Sequence, residues 1–195
     1  MDKQADSQFP LHDLIKNRWS PRGFSDRSVS EQDVRTLIDA ARWAPSCFNE
    51  QPWRFLVARK EDGAAYDAML QCLVGGNQAW AKNAPLLILA LASTKFERNG
   101  NPNAHAWHDV GLAVGNLTVQ ALAMDLYVHQ MAGIEYDKIR QDYQLPEDVE
   151  PVTGLVIGYL GGTEGLPEWA AEKEGAPRER KAAEDIAFKQ WGQAY

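Results

Sequence analysis

The ten-residue stretch APSCFNEQPW, residues 44–53, separates an amphipathic helical pattern from a short apolar run. The proline near each end prevents a helix or a central strand from running through it. Between the prolines lie the hydroxyl of Ser46 and the amides of Asn49 and Gln51, and Trp53 follows directly. A stiff loop with neutral hydrogen-bonding groups suits a flat polar ligand better than acid–base chemistry. The alternative is a plain helix-to-strand connector that carries a buried tryptophan.

Apolar residues recur with helical or strand-like spacing on both sides of this loop. The segments with helical spacing are residues 11–17, 31–44, 62–73, 104–125 and 135–143, and Ser30 is placed to cap the second of them. The apolar runs that predict strands are residues 55–58, 86–92, 127–131 and 152–160. Strands separated by helical stretches predict a sheet with helices packed against it, in a single domain of residues 1–195.

The two ends of the chain differ from this pattern. Residues 1–9 are polar and predict a loose N-terminus. Residues 164–195 are charged and include Trp169, Trp191 and Tyr195 without core-like spacing. Aromatic side chains in a polar tail predict packing on another surface, and we expect a partner subunit to supply it.

Composition excludes several classes of function. With 195 residues, 45% hydrophobic and 24% charged, the chain is typical of one soluble domain. A net charge of −7 argues against nucleic acid or an anionic membrane as partner, because both require concentrated Lys and Arg. No secretory signal is visible at the N-terminus, and no apolar run approaches the roughly 20 residues of a membrane span. We therefore expect a cytoplasmic protein.

No motif for hydrolysis or metal binding stands out. The chain has no Gly-x-Ser-x-Gly elbow and no phosphate-binding glycine loop. His105, His108 and Asp109 lack a further ligand at metal spacing, so flanking a helix start is the favoured interpretation and no metal site is expected. Cys47 has no neighbouring base that would activate it, and Cys72 lies in an amphipathic pattern typical of core.

Two clusters of basic residues point to an anion. Arg18 and Arg22 flank Ser20 in a turn, so two guanidinium groups and a hydroxyl could reach one phosphate. A second cluster, Arg-Glu-Arg-Lys at residues 178–181, occurs late in the chain. For this second cluster an exposed charged tail is the simpler alternative.

Short motifs follow one another in order along nearly the whole chain. They are Arg18-x-Ser20-x-Arg22, the loop at residues 44–53, Asn77-Gln78-x-Trp80, Asp109-x-Gly111-x-Ala113, Met131-Ala132-Gly133, Ile157-Gly158-Tyr159, and Arg180-Lys181 before Glu184-Asp185-Ile186. In this order and spacing they resemble the FMN-dependent nitroreductase family. The resemblance implies an α+β fold, a three-layer sandwich with a central, mostly antiparallel sheet flanked by helices. It also implies a homodimer with one FMN at each of two interface sites.

The same resemblance implies a function. Hydride would pass from NADH or NADPH through FMN to a small electron-poor acceptor, such as a nitroarene or a quinone, by a ping-pong mechanism. The alternatives are a specialised relative of this fold, which uses the flavin for dehydrogenation, dehalogenation or flavin fragmentation, and a flavin-binding dimer without nicotinamide turnover. No catalytic side chain is expected, because the flavin performs the chemistry.

The resemblance further implies the residues of the FMN site. Arg18, Ser20 and Arg180 would hold the ribityl phosphate, and Arg22 would lie near the pyrimidine side of the ring. Asn77 would bind the pyrimidine edge, the backbone of Ala132 and Gly133 would approach N5, and Ser46 and Asn49 would come from the partner subunit. Trp19, Pro45 and Lys181 complete the expected set. Some relatives carry a lysine close to the position of Trp80. This chain has no lysine there, so Arg22 is left to stabilise the negative charge of reduced flavin.

Overall fold

A computed structural model describes residues 3–195 of the chain. The helices are α1 (Asp13–Asn17), α2 (Glu31–Arg42), α3 (Ala64–Leu70), α4 (Gly75–Ala81), α5 (Ala106–Ala123), α6 (Tyr136–Asp142) and α7 (Glu168–Gly175). The strands are β1 (Trp53–Arg59), β2 (Leu86–Ser93), β3 (Tyr127–Met131), β4 (Val149–Gly158), β5 (Phe188–Gln190) and β6 (Gln193–Ala194). Within residues 3–195, no helix is both long enough and apolar enough to cross a bilayer.

The main sheet has the strand order β1-β2-β4-β3, and all three pairings are antiparallel. Strand β2 lies in its interior and reads LLILALAS, with seven of its eight residues buried. Because side chains alternate across a sheet, Leu86 and Ile88 enter one core while Leu87 and Leu89 enter the other. A strand that contributes side chains to a core on each face of the sheet must be apolar along its whole length, as this strand is.

Helices cover both faces of the sheet. On one face, α2 and α5 pack together with the sheet, and Leu37 and Leu117 are fully buried between them. The N-terminus of α2 has a reciprocal capping box between Ser30 and Asp33, so the predicted Ser30 cap is confirmed. On the other face lie α3, α4 and α6, which contribute residues such as Met69, Trp80 and Ile139. The expected three-layer α+β sandwich with an antiparallel central sheet is confirmed.

Several elements differ from the sequence expectation. Strands β5 and β6 pair in the tail, where no strand was predicted. Helix α4 is not among the predicted helices, and it begins at the pair Gly75-Gly76. Strand β4 starts at Val149 and includes Pro151. This proline is tolerated because β3 pairs with β4 only as far as Gly154, so at Pro151 the strand has a neighbour on one side only. Helix α7 was not expected, since Ala170 is its only fully buried residue.

Both tails make contacts within the chain. The Ala5 amide donates to the Lys16 carbonyl, so the described part of the predicted loose N-terminus is tied to α1, while residues 1 and 2 lie outside the described residues. Helix α7 packs on its own chain through Ala170. Residues 179–195 are exposed throughout, including Trp191 at 94%. Packing of this last part on a partner subunit stays a prediction.

Candidate functional site

A basic cavity lies where the segment after α1 meets the chain that follows α7. Its volume is about 250 Å³. Its wall consists of Lys3, Arg18, Trp19, Ser20, Lys173, Ala176, Pro177, Arg178, Glu179 and Arg180. Two basic clusters that are about 160 positions apart in the sequence therefore face one cavity.

The guanidinium groups of this cavity are not neutralised by acids. Arg18 Nη1 donates to Ser20 Oγ at 3.3 Å, and Arg178 Nη1 donates to the carbonyls of Lys3 and Lys16 at 2.7 and 3.0 Å. Burial, with the positive charges of Arg178 and Arg180, lowers the pKa of the Arg18 guanidinium. No ion pair among residues 3–195 includes any of these three arginines. Converging unpaired cations with a hydroxyl are suited to a phosphate.

The sequence identified only part of this cavity. Arg18, Trp19, Ser20 and Arg180, which are expected in the FMN site, line this cavity, whereas Lys181 is exposed and lies outside its wall. Their binding of FMN stays a prediction. Arg178 was noticed only as a member of a charged cluster. Lys3 and Lys173 were not anticipated, because each is an isolated lysine with no motif around it.

A second group of donors lies around Arg22. The centre of its guanidinium is 5.8 Å from the ring centroid of Trp80 and 5.8 Å from that of Trp169. Two buried donors, Arg22 Nε and Trp80 Nε1, have no hydrogen-bond acceptor within the described chain. The Arg22 amide donates to Glu174 Oε1 at 2.6 Å, which fixes α7 against this segment. Buried donors without acceptors are uncommon in folded proteins.

Asn77 and Gly133 are in direct contact beside this group. Asn77 Nδ2 donates to the Gly133 carbonyl at 3.0 Å, and the Val74 amide donates to the same oxygen at 3.1 Å. A Cβ atom on Gly133 would lie 2.6 Å from Asn77 Nδ2, so only glycine fits this approach without displacement. Asn77 and Trp80 are one helical turn apart on α4. The structure thus brings Arg22, Asn77 and Gly133 to one region.

His129 supports this region from the sheet, although no sequence motif indicated it. Its ring lies 4.6 Å from the Trp80 ring, centroid to centroid. Its Nδ1 lies 2.8 Å from the Pro21 carbonyl, which only accepts, so Nδ1 carries the proton. Burial, with a smaller contribution from Arg22, lowers the pKa of His129 to about 4. The imidazole is therefore neutral at pH 7.

The loop at residues 44–53 is held in place from α5. The Cys47 amide donates to Asp109 Oδ2 at 3.0 Å, and the Asp109 carboxylate is buried. The Gln51 amide donates to Ser46 Oγ at 3.0 Å. Three residues of the loop, Phe48, Asn49 and Gln51, have positive φ angles. These hydrogen bonds hold the loop in place. They also give Asp109, at the start of α5, a structural role, because its carboxylate accepts from the loop backbone.

The polar groups of this loop do not meet the arginine cavity within the chain. Phe48, which is 72% exposed, contacts Phe96 and Arg98. Among residues 3–195, no hydrogen bond or ring contact joins Pro45, Ser46 or Asn49 to Arg18, Arg22 or Asn77. Their expected role from the partner subunit stays a prediction. No set of three or more His, Cys, Asp or Glu residues in the described chain could hold a metal ion.

Comparisons with known proteins identify the family of this chain. The Nitroreductase family model matches residues 15–75 and 68–159. An uncharacterized 15.4 kDa protein of Mycolicibacterium smegmatis is 32% identical over 147 residues, which cover 71% of this chain and 97% of that protein. A relative from Methanothermobacter thermautotrophicus, with the provisional name NADH dehydrogenase/NAD(P)H nitroreductase, is 28% identical over 161 residues, 78% of each chain.

A solved structure described as an oxidoreductase containing FMN has a TM-score of 0.91 and 33% identity, and the match covers 100% of this chain and 99% of that one. A nitroreductase family protein of Clostridium difficile, 23% identical with a TM-score of 0.70 over 93% of this chain and 99% of its own, has the same fold. With a family model that spans most of the residues and both arginine clusters brought to one cavity, this chain belongs to the nitroreductase family.

Proposed function

We propose that this chain is an FMN-dependent oxidoreductase that uses NADH or NADPH to reduce a small electron-poor acceptor, such as a nitroarene or a quinone, by a ping-pong mechanism. The proposal rests on the segment of residues 18–22, which connects two groups of hydrogen-bond donors. The arginine cavity lies at the first end of this segment, and the buried donors without acceptors lie at the second end. An FMN oxidoreductase of 33% identity and an NAD(P)H nitroreductase relative support the cofactor and the electron donor.

The arginine cavity would hold the phosphate of FMN. Arg18 and Arg180 provide charged donors, and Ser20, already in contact with Arg18, provides a hydroxyl. Arg178 adds positive charge, while its own hydrogen bonds to Lys3 and Lys16 keep it in place. Residues 18 and 22 are at most about 14 Å apart, since an extended chain spans roughly 3.3–3.6 Å per residue. One short segment could therefore contact both the phosphate and the ring of one elongated ligand.

The donors around Arg22 would hold the pyrimidine side of the ring. When bound there, FMN would supply the hydride-transfer chemistry between the nicotinamide and the acceptor. Arg22 would stabilise negative charge on the reduced ring, and its half-buried guanidinium lies near the indoles of Trp80 and Trp169. Asn77 would be an additional donor beside the Gly133 backbone. The neutral His129 adds no charge there.

The second subunit of a homodimer would complete each site. Ser46 and Asn49 lie on a rigid loop whose contacts do not reach the arginine cavity of their own chain. Helix α5 presents an open strip, because a Cβ atom on Gly111 or Gly115 would meet nothing within 4 Å. Trp43 and Trp107 are also exposed, at 73% and 46%. Apolar side chains beside a helix strip of small residues are suited to a second copy of the chain.

The proposal is tested on the purified protein. We expect a flavin absorption spectrum, or its appearance on adding FMN, and anaerobic loss of the oxidised flavin band after addition of NADPH or NADH. Subsequent addition of a quinone or a nitroarene should restore the band. A colourless protein that cannot be reconstituted with FMN would contradict the proposal.

Two outcomes of the same experiment would indicate the alternatives. Bound FMN that is not reduced by either nicotinamide would favour a flavin-binding dimer without nicotinamide turnover, or a specialised relative. Stopped-flow reduction with NADH and NADPH in parallel separates these cases from an efficient reductase. A panel of quinones, nitroarenes and enones would then identify the class of acceptor.

A further inference from the structure

A second cavity lies beside the arginine cavity, and the function proposed above does not use it. Its volume is about 340 Å³, within the range of roughly 300–1,000 Å³ that small-molecule sites occupy. Lys3 and Trp19 belong to the walls of both cavities, so the two are adjacent. The second cavity is further lined by Leu14, Asn17, Leu122, Asp125, Tyr127 and Leu160.

Part of this wall is aromatic. The rings of Trp19 and Tyr127 meet edge to face, with their centroids 6.3 Å apart and an interplanar angle of 68°. Aromatic side chains stack on the flat face of any nucleic-acid base, because every base has a π-face. The three leucines of the wall add apolar surface beside these rings. The second cavity therefore suits a flat heterocycle such as a purine.

Two polar side chains of the wall suit the sugar and the edge of a base. Asp125 has a φ of 59°, in the left-handed region, which aspartate adopts more readily than most residues. Within residues 3–195, no hydrogen bond or ion pair uses its carboxylate. A carboxylate is the usual acceptor for ribose hydroxyl groups in dinucleotide sites. The amide of Asn17 offers both donors and an acceptor to the edge of a base.

Lys3 lies at the boundary between the two cavities. Its ammonium group is 5.3 Å from the ring centroid of Trp19 and donates to the Ala176 carbonyl, which holds it there. One phosphate has three terminal oxygens, whereas a diphosphate is longer and presents oxygens to more donors. The arginine cavity carries five basic side chains and one acid, Glu179; the basic residues are Lys3, Lys173, Arg18, Arg178 and Arg180.

We propose that the two cavities together bind the diphosphate and the adenosine of FAD, so that this chain accepts FAD as well as FMN. The proposal rests on the proposed function, since it takes the arginine cavity as the site of the flavin phosphate. The additional AMP would pass Lys3 and enter the second cavity. The ring and the first phosphate are common to both flavins, so the second cavity alone would determine the preference between them.

Calorimetric titration of the FMN-free protein with each flavin tests the proposal without any turnover. We expect the wild type to bind FAD at least as tightly as FMN, because FAD adds contacts in the second cavity. Each flavin should also displace the other, since they share the ring site. A site that ended at the flavin phosphate would exclude FAD.

Two variants alter only the second cavity. Asp125→Asn removes the carboxylate and keeps a side chain that tolerates a positive φ. Leu160→Trp fills part of the cavity from its 42% exposed position after β4. In each variant we expect the ratio of FAD affinity to FMN affinity to fall at least about fivefold. Asp137→Asn, at an exposed position of α6 outside both cavities, makes the same change of charge and should leave this ratio within about twofold.

The results that would overturn the proposal differ from those that would overturn the proposed function. Weaker binding of FAD than of FMN by the wild type would show that the site ends at the phosphate. Ratios within about twofold of the wild type in both cavity variants would place the adenosine elsewhere. An equal fall of the ratio in Asp137→Asn would reduce the effect of Asp125 to net charge. A wild-type chain that binds neither flavin would instead overturn the proposed function.

Discussion

At the scale of single residues, His129 makes the stability of the fold depend on pH. Its pKa is lowered to about 4 in the folded chain, mainly by burial, from an ordinary value of 6.5. Between these two values the unfolded chain binds a proton that the folded chain does not, so stability falls as the pH falls from 6.5 towards 4. Linkage predicts a loss of about 2.5 kcal/mol at pH 4.5 relative to pH 7 from this residue alone.

Urea unfolding of the wild type and His129→Gln at both pH values measures this contribution. Glutamine keeps an N–H for the Pro21 carbonyl but does not titrate. Because all carboxylates are common to both chains, the difference between their acid losses isolates position 129. The wild type should lose about 2.5 kcal/mol more than the variant. Equal losses in the two proteins would show that His129 is protonated in the folded state without cost.

Arg180 and Lys181 offer a test of the phosphate cavity with adjacent residues. Arg180 lines the cavity, and Lys181, which the family resemblance also assigns to the cofactor, does not. Arg180→Gln should weaken FMN binding about 10- to 100-fold, the range for a charged hydrogen bond, and Lys181→Gln should change it by less than about twofold. Riboflavin, which lacks the phosphate, serves as the second ligand in fluorescence titrations. If Arg180→Gln weakened riboflavin and FMN binding equally, the cavity would not be the phosphate site.

At the scale of elements, α4 and the turn at Gly133 are joined so closely that their contact can be tested with single methyl groups. A Cβ atom at Gly133 would lie 2.6 Å from Asn77 Nδ2 and 2.8 Å from Val74 Cγ2, whereas one at Gly76 would meet nothing within 4 Å. Gly133→Ala should therefore destabilise the fold by about 1–3 kcal/mol and displace Asn77. Gly76→Ala should stabilise the helix by about 0.5–1 kcal/mol.

Chemical denaturation and FMN titration test the variants Gly133→Ala and Gly76→Ala. The free energy of unfolding should decrease in Gly133→Ala and increase in Gly76→Ala, although both variants replace a glycine with alanine. Only Gly133→Ala should weaken FMN binding, because only it moves Asn77. Unchanged stability in Gly133→Ala would mean that α4 shifts away from the turn without cost, and Asn77 would then be a less rigid donor than the structure indicates.

The elements that the sequence predicted are those with regular apolar spacing. Strand β2 and helix α5 were anticipated, because each buries residues with the period of its own structure. Helix α4 was not among the predicted helices, because a pair of glycines normally ends a helix, and here the pair begins one. Helix α7 has a single buried residue, so its position depends on the tertiary contact between Glu174 and the Arg22 amide, which no local pattern reveals.

The site was predictable to the extent that its residues lie in short motifs. Arg18, Ser20 and Arg22 share one turn, and Asn77 precedes Trp80 in one helix, so order and spacing identified them. Arg178 and Lys3 meet only through the fold, about 175 positions apart in sequence. His129 reaches Trp80 from a sheet strand, and its role depends on burial. These contacts are properties of packing and have no signature in the linear sequence.

At the scale of the whole molecule, the open strip of α5 connects assembly with cofactor binding. Gly115→Arg adds a long charged side chain where the described chain has nothing within 4 Å, so folding of the single chain should be unimpaired. Arg also favours a helix over Gly by roughly 0.5–1 kcal/mol. In a dimer packed along this strip the same side chain would be excluded, and Ser46 and Asn49 of the partner would be lost from each site. Sedimentation velocity should therefore show that Gly115→Arg is a monomer, and fluorescence titration should show that it binds FMN at least about tenfold more weakly than the wild type.

Ala64→Arg, at the exposed start of α3 on the opposite layer, is the control variant, and it should remain a dimer with wild-type affinity for FMN. A dimeric Gly115→Arg protein would place the interface elsewhere, and a monomer with undiminished affinity would show that one chain holds the cofactor alone.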